Sequence, residues 1–388
     1  MEWLVWFAML LVLLAFTALI REGGLPLRRG AAGAESACPP AWPPVALIVP
    51  VAGASPGLRE RLESLLAQDY PRYGVVFVTR DADDPAISVI RPVIWGRPHA
   101  RHVVGGPARG CGQKNHNLLA GVRCLGPEPE ILTFCDSNQM APPSFLRNLV
   151  QPIACSTAAI TTGYHHIIPR QPGLAPLVRA VVVLTLYCTK GLRWFNQPWG
   201  GATAMSRQLF EDLTVERLWG RTVVDDVSLA ARLKKAGIRV CLAPRAILTT
   251  AVDADSLAGW SHWLFRQCIY LKFYFPGSWL AAGIFQGVVL GLVLLSLGVC
   301  LLAPWGYVSF PLTLAALLFL AIFTLQGLWL RRHHPSPGSR LSWLGAFYAA
   351  MFLGFYVHAR TGLTSTLTWR GISYRVNWRG EVVDIRES

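Results

Sequence analysis

Long uncharged runs near the two ends of the chain dominate its hydrophobic pattern. Trp3–Ile20 and Phe273–Leu330 contain no Asp, Glu, Lys or Arg. A membrane-crossing helix needs about 20 apolar residues, so the first run predicts a transmembrane helix and the second a helical hairpin that turns near Pro304. Glu2 at the start of the first run favours a retained anchor over a cleaved signal peptide. A third apolar run, Leu341–His358, is predicted to be transmembrane, re-entrant or interfacial.

Basic residues follow these runs and predict which side of the membrane the intervening chain occupies. Arg28 and Arg29 follow the first run, and Arg331 and Arg332 follow the hairpin. Because cytoplasmic loops are enriched in Lys and Arg, the long central segment is expected to be cytoplasmic. If Leu341–His358 crosses the membrane, the C-terminal tail is separated from that segment; if it does not cross, the tail returns to the same side.

The central segment begins with an alternation of apolar runs that is typical of α/β proteins. Val45–Val51 and Tyr73–Arg80 have the pattern of buried strands, and an amphipathic helix is predicted between them around Leu58–Ala67. This β-α-β order predicts a parallel sheet, with the ligand bound at the carboxyl ends of the strands.

Acidic residues follow two of these predicted strands. Asp81 and Asp84 come after the second strand, where turn formation and nucleoside binding explain them equally well. Asp136 and Asn138 end the strand in Ile131–Asn138. Oxygen ligands with this spacing suit a hard cation that bridges phosphate oxygens, and an Asx turn is the alternative.

Two glycine-containing turns and one pair of aspartates mark three further candidate sites. Val103–Leu119 leads through several glycines into a helix, and this arrangement suits a diphosphate although the spacing is not that of a Walker loop. The turn at Trp199 would let a sugar approach the backbone, and core packing explains that tryptophan about as well. In Arg221–Gly237, an Asp pair opens a helix, either as an N-cap or as a catalytic base. The residues of interest in these turns are Lys114, Asn117, Trp199, Gly200, Gly201, Asp225 and Asp226.

Composition and charge agree with a membrane protein. The chain has 388 residues, 53% of them hydrophobic, and a formal net charge of +14. Its Lys and Arg residues lie mainly beside apolar runs, which favours contact with anionic lipid head groups over nucleic acid. Trp260–Tyr274 mixes aromatic and cationic residues in the manner of a membrane interface. The nine cysteines include no CxxC pair, so neither a zinc site nor a disulfide framework is predicted.

The order of these motifs resembles that of the membrane-bound inverting glycosyltransferases of family 2, and especially the ceramide glucosyltransferase branch, family 21. The residues that carry the resemblance are QDYPRYGVVFVTRDADDPAI (68–87), GQKNHNL (112–118), FCDSN (134–138), WGGATAMSR (199–207), VVDDVSLA (223–230) and TWRGISYR (368–375). The resemblance implies a GT-A fold, which is a Rossmann-like nucleotide-sugar domain, and a UDP-sugar donor with a divalent cation, Mg²⁺ or Mn²⁺.

The same resemblance implies roles for individual residues. Asp226 is expected to be the catalytic base, with Asp136, Asp84 and Arg266 also in the catalytic set. Asp136 and Asn138 are expected near the metal. Nucleotide contacts are expected from Asp81, Lys114, Asn117, Trp369 and Arg370, and sugar or acceptor contacts from Trp199, Gly200, Gly201, Asp225, Trp263 and Gln267.

Two positions depart from the family pattern. Asn138 stands where the central motif has Asp, which predicts weaker metal coordination or coordination through water. Of the (Q/R)xxRW motif only Arg266 matches in Trp263–Gln267, since Gln replaces the final Trp.

The expected protein is therefore an α/β glycosyltransferase attached to a membrane. The expected divisions are an N-terminal anchor (1–22), a linker (23–44), a cytoplasmic GT-A domain (45–272), a helical hairpin (273–330), a basic loop with the third apolar helix (331–367) and a tail (368–388). We expect a hexose to pass to a membrane lipid hydroxyl, in a bacterial inner membrane. A polysaccharide synthase and a non-catalytic nucleotide-sugar-binding scaffold are the alternatives.

Overall fold

The protein, in a computed structural model, forms two compact units. The structure describes residues 2–31, 41–171, 173–190, 192, 197–253 and 256–387. The α/β unit comprises residues 29–165, 194–250 and 365–388, and the helical unit comprises residues 1–28, 166–193 and 251–364. The division thus differs from the predicted continuous domain 45–272, because two segments of that range belong to the helical unit. The last residues of the chain belong to the α/β unit.

The secondary structure follows the predicted alternation. In chain order the elements are α1 (Glu2–Ala31), β1 (Val45–Pro50), α2 (Leu58–Leu66), β2 (Tyr73–Thr79), α3 (Ile87–Ile94), β3 (Ala100–Val104), α4 (Gln113–Arg123), β4 (Ile131–Cys135), α5 (Phe145–Ala154), β5 (Ile160–Pro169), α6 (Leu174–Lys190), β6 (Ala202–Ser206), α7 (Arg207–Asp212), α8 (Val215–Trp219), α9 (Asp226–Lys235), β7 (Cys241–Val252), α10 (Leu257–Tyr274), α11 (Pro276–Leu302), α12 (Phe310–Arg331), α13 (Arg340–Thr361), β8 (Thr366–Trp369), β9 (Ile372–Val376) and β10 (Val382–Glu387).

A seven-stranded sheet organises the α/β unit, in the order β3-β2-β1-β4-β6-β5-β7. β1 pairs in parallel with both β2 and β4, whereas β6 runs antiparallel to β4 and β5. β1 is an unbroken apolar run because both of its faces are buried. Leu47 and Val49 lie in the core on one side of the sheet, and Ile48 lies in the core on the other side. The predicted β-α-β start is confirmed.

The tail, which has no apolar run, forms a small sheet of its own in the order β10-β9-β8. Its first hairpin turns at Arg370 and Gly371, whose φ values of 51° and 76° are those that a two-residue turn of type I′ requires. The Val382 amide donates to the Arg221 carbonyl at 2.8 Å. The buried Tyr374 hydroxyl accepts from the Gln113 amide at 3.2 Å. These bonds tie the tail to the segments that open α9 and α4.

Within the described residues, four helices are long and apolar enough to cross a membrane: Glu2–Leu25, Pro276–Trp305, Phe310–Arg331 and Arg340–Thr361. The turn predicted near Pro304 is a short 3₁₀ turn at Ala303–Trp305 that follows α11, and crossing of the membrane by the hairpin stays a prediction. The helix α1 continues to Ala31, beyond the predicted boundary between anchor and linker at residue 22. The rest of the linker up to residue 40 lies outside the described residues.

Candidate functional site

Two of the predicted acidic residues lie at the same edge of the sheet. Asp84 follows β2 and Asp136 follows β4, and both strands are parallel to β1 between them. One oxygen of Asp84, Oδ1, accepts from the Gly53 and Ala86 amides, each at 2.8 Å. Asp84 therefore fixes the loop after β1 to the loop after β2, and this role comes in addition to any contact with substrate.

Lys114, in the first turn of α4, joins three segments that are far apart in sequence. Its Nζ lies 2.8 Å from Asp136 Oδ1 and 3.1 Å from Asp225 Oδ1. The same ammonium donates to the Gly200 carbonyl at 3.0 Å. The sequence predicted a nucleotide contact for Lys114. The structure places the ammonium among the carboxylates of the site, and its contact with a nucleotide stays a prediction.

The charges of this cluster depend on one another. Burial by itself lowers the pKa of Lys114, but Asp136, Asp225 and Asp226 more than offset this effect and the pKa lies above its usual value. The pKa of Asp136 is raised, mainly by burial, although Lys114 opposes the rise. The Asp136 side chain is still 30% exposed, whereas that of Asp225 is only 4% exposed. Asp136 can therefore be reached by a ligand, and Asp225 is enclosed.

The two glycines after Trp199 are required by close contacts within the protein. A Cβ at Gly200 would lie 2.4 Å from Asp225 Oδ2 and 2.7 Å from Lys114 Nζ. A Cβ at Gly201 would lie 2.3 Å from Cζ2 of the Trp199 indole. The predicted approach of a sugar to these glycines stays a prediction, because the structure already explains why neither position has a side chain.

Trp199 is partly buried and packs against the hydrophobic core of the α/β unit. Its ring stacks on His165, with centroids 4.3 Å apart and an interplanar angle of 20°, and it also contacts Tyr164. The His165 Nδ1 lies 2.6 Å from the Thr250 hydroxyl. Core packing therefore accounts for Trp199, and its contact with a sugar remains a prediction.

The adjacent residues Asp225 and Asp226 occupy different environments. Asp225 stands at the N-cap position of α9, yet its side chain makes no capping hydrogen bond and is paired with Lys114. Asp226 is partly exposed, and its two oxygens accept from the Gly200 amide at 2.9 Å and the Val227 amide at 2.7 Å. The N-cap interpretation of the pair is thus wrong for Asp225. Asp226 is the more exposed of the two carboxylates, and its role as catalytic base stays a prediction.

The backbone of Gly200 connects Lys114 to Asp226. Its carbonyl accepts from Lys114, and its amide donates to Asp226. Displacing this residue would disturb both the ammonium and the accessible carboxylate.

The predicted nucleotide contacts have mixed environments. Asn117 is 4% exposed, and its Oδ1 accepts from the Gln113 side chain at 2.7 Å. Asp81 is paired with Arg80 at 3.3 Å. At the tip of the tail hairpin, Arg370 donates to the Ala52 carbonyl in the loop after β1, and its guanidinium lies 5.7 Å from the Trp369 ring. The hairpin tip is therefore at the same edge of the sheet as Asp84, whereas Asn117 is directed into the interior.

The incomplete arginine motif, with the predicted catalytic Arg266 and the predicted acceptor residues Trp263 and Gln267, belongs to the helical unit. Trp263, Arg266 and Gln267 lie on α10. The Gln267 side chain donates to the Trp263 carbonyl at 3.4 Å, and the Arg179 guanidinium lies over the Trp263 ring at 5.2 Å. Their roles toward substrate stay predictions.

A divalent cation would have few ligands from the protein. No three His, Cys, Asp or Glu side chains in the described part of the chain are grouped as a metal site. Asn138 is exposed in the turn after β4, and Asp136 is partly exposed. One or two protein oxygens completed by substrate phosphates and water are a usual environment for Mg²⁺. Asp136 and Asn138 therefore fit a cation that arrives with its phosphate ligand.

Arg61 and Tyr374 support the site, and neither was among the predicted site residues, although Tyr374 lies in the TWRGISYR motif. Arg61, on α2, donates to the Ser137 carbonyl at 3.1 Å and so fixes the turn after Asp136. Tyr374, on β9, anchors the start of α4 one residue before Lys114. The role of each could not be predicted, because each acts through a backbone group that only the fold brings near.

The α/β unit, with carboxylates at the carboxyl edge of its parallel strands, has the GT-A fold of glycosyltransferases. A similar solved structure is the mannosyltransferase PcManGT from Pyrobaculum calidifontis, in complex with GDP-Man and Mn²⁺. It has a TM-score of 0.51 and 20% identity, and the alignment covers 90% of this chain and 99% of that one. Glucosyl-3-phosphoglycerate synthase from Mycobacterium tuberculosis matches with a TM-score of 0.39 and 15% identity, over 63% of this chain and 81% of that one.

The particular family is also established. The sequence model of glycosyl transferase family 21 matches residues 6–382 of this chain, and the chain belongs to this family. The resemblance inferred from the motifs is confirmed, as is the fold class.

Substitution of Gly200 tests whether the cluster requires a residue without a side chain at this position. Gly200→Ala places a Cβ against Asp225 and Lys114, so we expect glycosyl transfer by the purified protein to fall at least about tenfold, which corresponds to about 1.4 kcal/mol. Gly74→Ala is the matched control, because its Cβ would meet only the His99 carbonyl at an ordinary 3.5 Å. Equal activity of the two variants would contradict the proposed arrangement.

Proposed function

We propose that this glycosyltransferase moves a hexose from a UDP-sugar to the hydroxyl of a membrane lipid, with inversion at the anomeric carbon. Membership of family 21 establishes glycosyl transfer. The observation that best supports the mechanism is the difference in environment between the adjacent carboxylates. Asp225 is enclosed and paired with Lys114, and Asp226 is partly exposed.

Asp226 is the proposed general base. It takes the proton from the acceptor hydroxyl, whose oxygen attacks the anomeric carbon while the bond to the diphosphate oxygen breaks on the opposite face. The Gly200 and Val227 amides orient the carboxylate, and a carboxylate retains further lone pairs to accept the proton. General-base assistance of this kind contributes about 10²–10⁴-fold.

The departing diphosphate needs positive charge, and Lys114 is the proposed source within the chain. Its ammonium is kept charged by the surrounding carboxylates and stands beside the accessible Asp136. A divalent cation held by Asp136 and Asn138 would supply further charge to the leaving group when it is bound. Such electrostatic stabilisation is commonly the largest contribution to catalysis.

The architecture supports a lipid acceptor. Four helices could cross a membrane, which is few for one subunit to build a channel that exports a polymer. The helix α10 carries the aromatic and cationic residues that favour a membrane interface. The catalytic unit is proposed to face the cytoplasm of a bacterial cell, at its inner membrane, with anionic lipid head groups as further contacts.

Asp226→Asn tests the assignment of the base. The amide preserves the shape of the side chain but cannot take the proton, so turnover is expected to fall by about 10²–10⁴-fold, with the dissociation constant of the UDP-sugar within about threefold of wild type. Asp212→Asn, an exposed acid on α7, is the matched control and should be unchanged in both measurements. Lost donor binding with residual turnover would overturn the assignment.

The class of acceptor is tested with membranes from cells that express the protein. Radiolabelled UDP-glucose, UDP-galactose and GDP-mannose are supplied separately, and the products are partitioned between organic solvent and ethanol-insoluble material. A lipid acceptor predicts organic-extractable label from a UDP-sugar that disappears in membranes carrying Asp226→Asn. Label in ethanol-insoluble polymer would favour a polysaccharide synthase, and label only from GDP-mannose would contradict the proposed donor.

A further inference from the structure

We propose that α13, although long and apolar enough to cross a membrane, lies along the membrane surface on the side of the α/β unit. In this arrangement α1, α11 and α12 cross the bilayer, and α13 contacts lipid through one exposed stripe.

The connectivity of the chain requires an even number of crossings between Thr250 and Ser365. Both residues belong to the α/β unit, whose tail is bonded by its backbone to the segment that precedes α9. A single unit held together in this way lies on one side of a membrane. Three helices between these residues are candidate spans, and α10 is not among them. At least one candidate therefore does not cross.

The contacts of α1 show where α12 ends. Near their first residues, the Ser309 hydroxyl donates to the Glu2 carboxylate at 2.9 Å. Further along, the Gln326 side chain donates to the Thr17 hydroxyl at 2.8 Å. Gly24 lies against the ring of His333, just beyond α12. The two helices thus run side by side in the same direction, and the end of α12 is on the side to which α1 leads, which is the side of the α/β unit.

The start of α13 is held at that end of α12. The Trp343 indole donates to the Gly327 carbonyl at 3.0 Å, and the Tyr348 and Thr324 hydroxyls are 2.7 Å apart. Both α12 residues lie in its last two turns. The connection between the helices is fixed as well, because His334 Nε2 bonds to the Ile167 carbonyl at 2.9 Å.

The end of α13 is held at the beginning of α11. The Trp279 indole donates to the Thr361 hydroxyl at 2.9 Å and stacks on His358, with centroids 5.1 Å apart. The Lys272 ammonium donates to the Thr361 carbonyl at 2.8 Å and the Thr364 carbonyl at 2.9 Å. Trp279 is in the first turn of α11, where the chain has just left α10. Both ends of α13 therefore lie at the same level as the base of the α11–α12 hairpin.

The free face of α13 suits the surface of a bilayer. Its exposed large residues, Leu341, Phe352 and Tyr356, are spaced to fall on one stripe, and Leu363 continues it just past the helix. Arg340 and Arg360, near the two ends, are also exposed. The mean hydropathy of α13 is 1.3, compared with 2.5 for α11 and 2.0 for α12. An apolar stripe with flanking arginines is typical of a helix at the interface of an anionic membrane.

Labelling of single introduced cysteines tests the sidedness. Ser336→Cys lies between α12 and α13, Thr366→Cys lies just after α13, and Tyr307→Cys lies between α11 and α12. Glu128→Cys reports the side of the α/β unit. Each substitution is made in the full-length protein, in which the native cysteines that react with the maleimide have been replaced by serine. A membrane-impermeant maleimide is then applied to sealed vesicles of either orientation.

We expect the cysteines at 336 and 366 to be labelled from the same side as that at 128, and the cysteine at 307 from the opposite side. Labelling at 336 and 366 from opposite sides would overturn the proposal, as would labelling at 307 from the side of the α/β unit. The readout is accessibility, so its outcome is independent of whether the proposed donor and acceptor are correct.

A depth measurement separates a surface helix from a re-entrant one. Nitroxide labels on Leu341→Cys, Phe352→Cys and Leu363→Cys in lipid vesicles should all report a similar shallow depth. If the label at 352, in the middle of the helix, is deeper than both others by about half of the hydrocarbon core, roughly 15 Å, the helix enters the bilayer and the proposal is wrong.

Discussion

The ion cluster around Lys114 is the interaction on which the arrangement of the site depends. It joins the start of α4, the end of β4 and the start of α9 through one ammonium and two carboxylates. Taking such charges out of water is costly, and removing one partner of a buried pair usually costs about 3–5 kcal/mol. The cluster is therefore stable only as a set, and each of the three loops is positioned by the other two.

This constraint accounts for features of the chain that otherwise have separate explanations. Gly200 lacks a side chain because the Lys114–Asp225 pair occupies the space where its Cβ would be. The same residue then links the ammonium to Asp226 through its carbonyl and amide. Asp225 is enclosed and paired with Lys114, whereas the neighbouring Asp226 is partly exposed and accepts from the Gly200 amide. Two adjacent and identical side chains thus differ in both burial and partners.

Much of the fold could be predicted from local patterns. The strand at Val45 and the helix before Asp69 follow from unbroken or periodic apolar residues, and the carboxyl edge of the sheet follows from the β-α-β order. The pairing of Lys114 with Asp225 could not be predicted, because it joins residues that are more than a hundred positions apart. The TWRGISYR motif drew attention to the tail, but the role of Tyr374 could not be predicted for the same reason: its bond to the start of α4 joins residues far apart in sequence.

The most direct test of this account is a double-mutant cycle on Lys114 and Asp225, read as the thermal midpoint of the purified protein in detergent. Lys114→Met alone should lower the midpoint strongly, because two carboxylates lose their counter-charge. Addition of Asp225→Asn should recover part of that loss, with a coupling of about 1–3 kcal/mol. If the two substitutions lower the midpoint additively, the ammonium does not hold the site together and the account is contradicted.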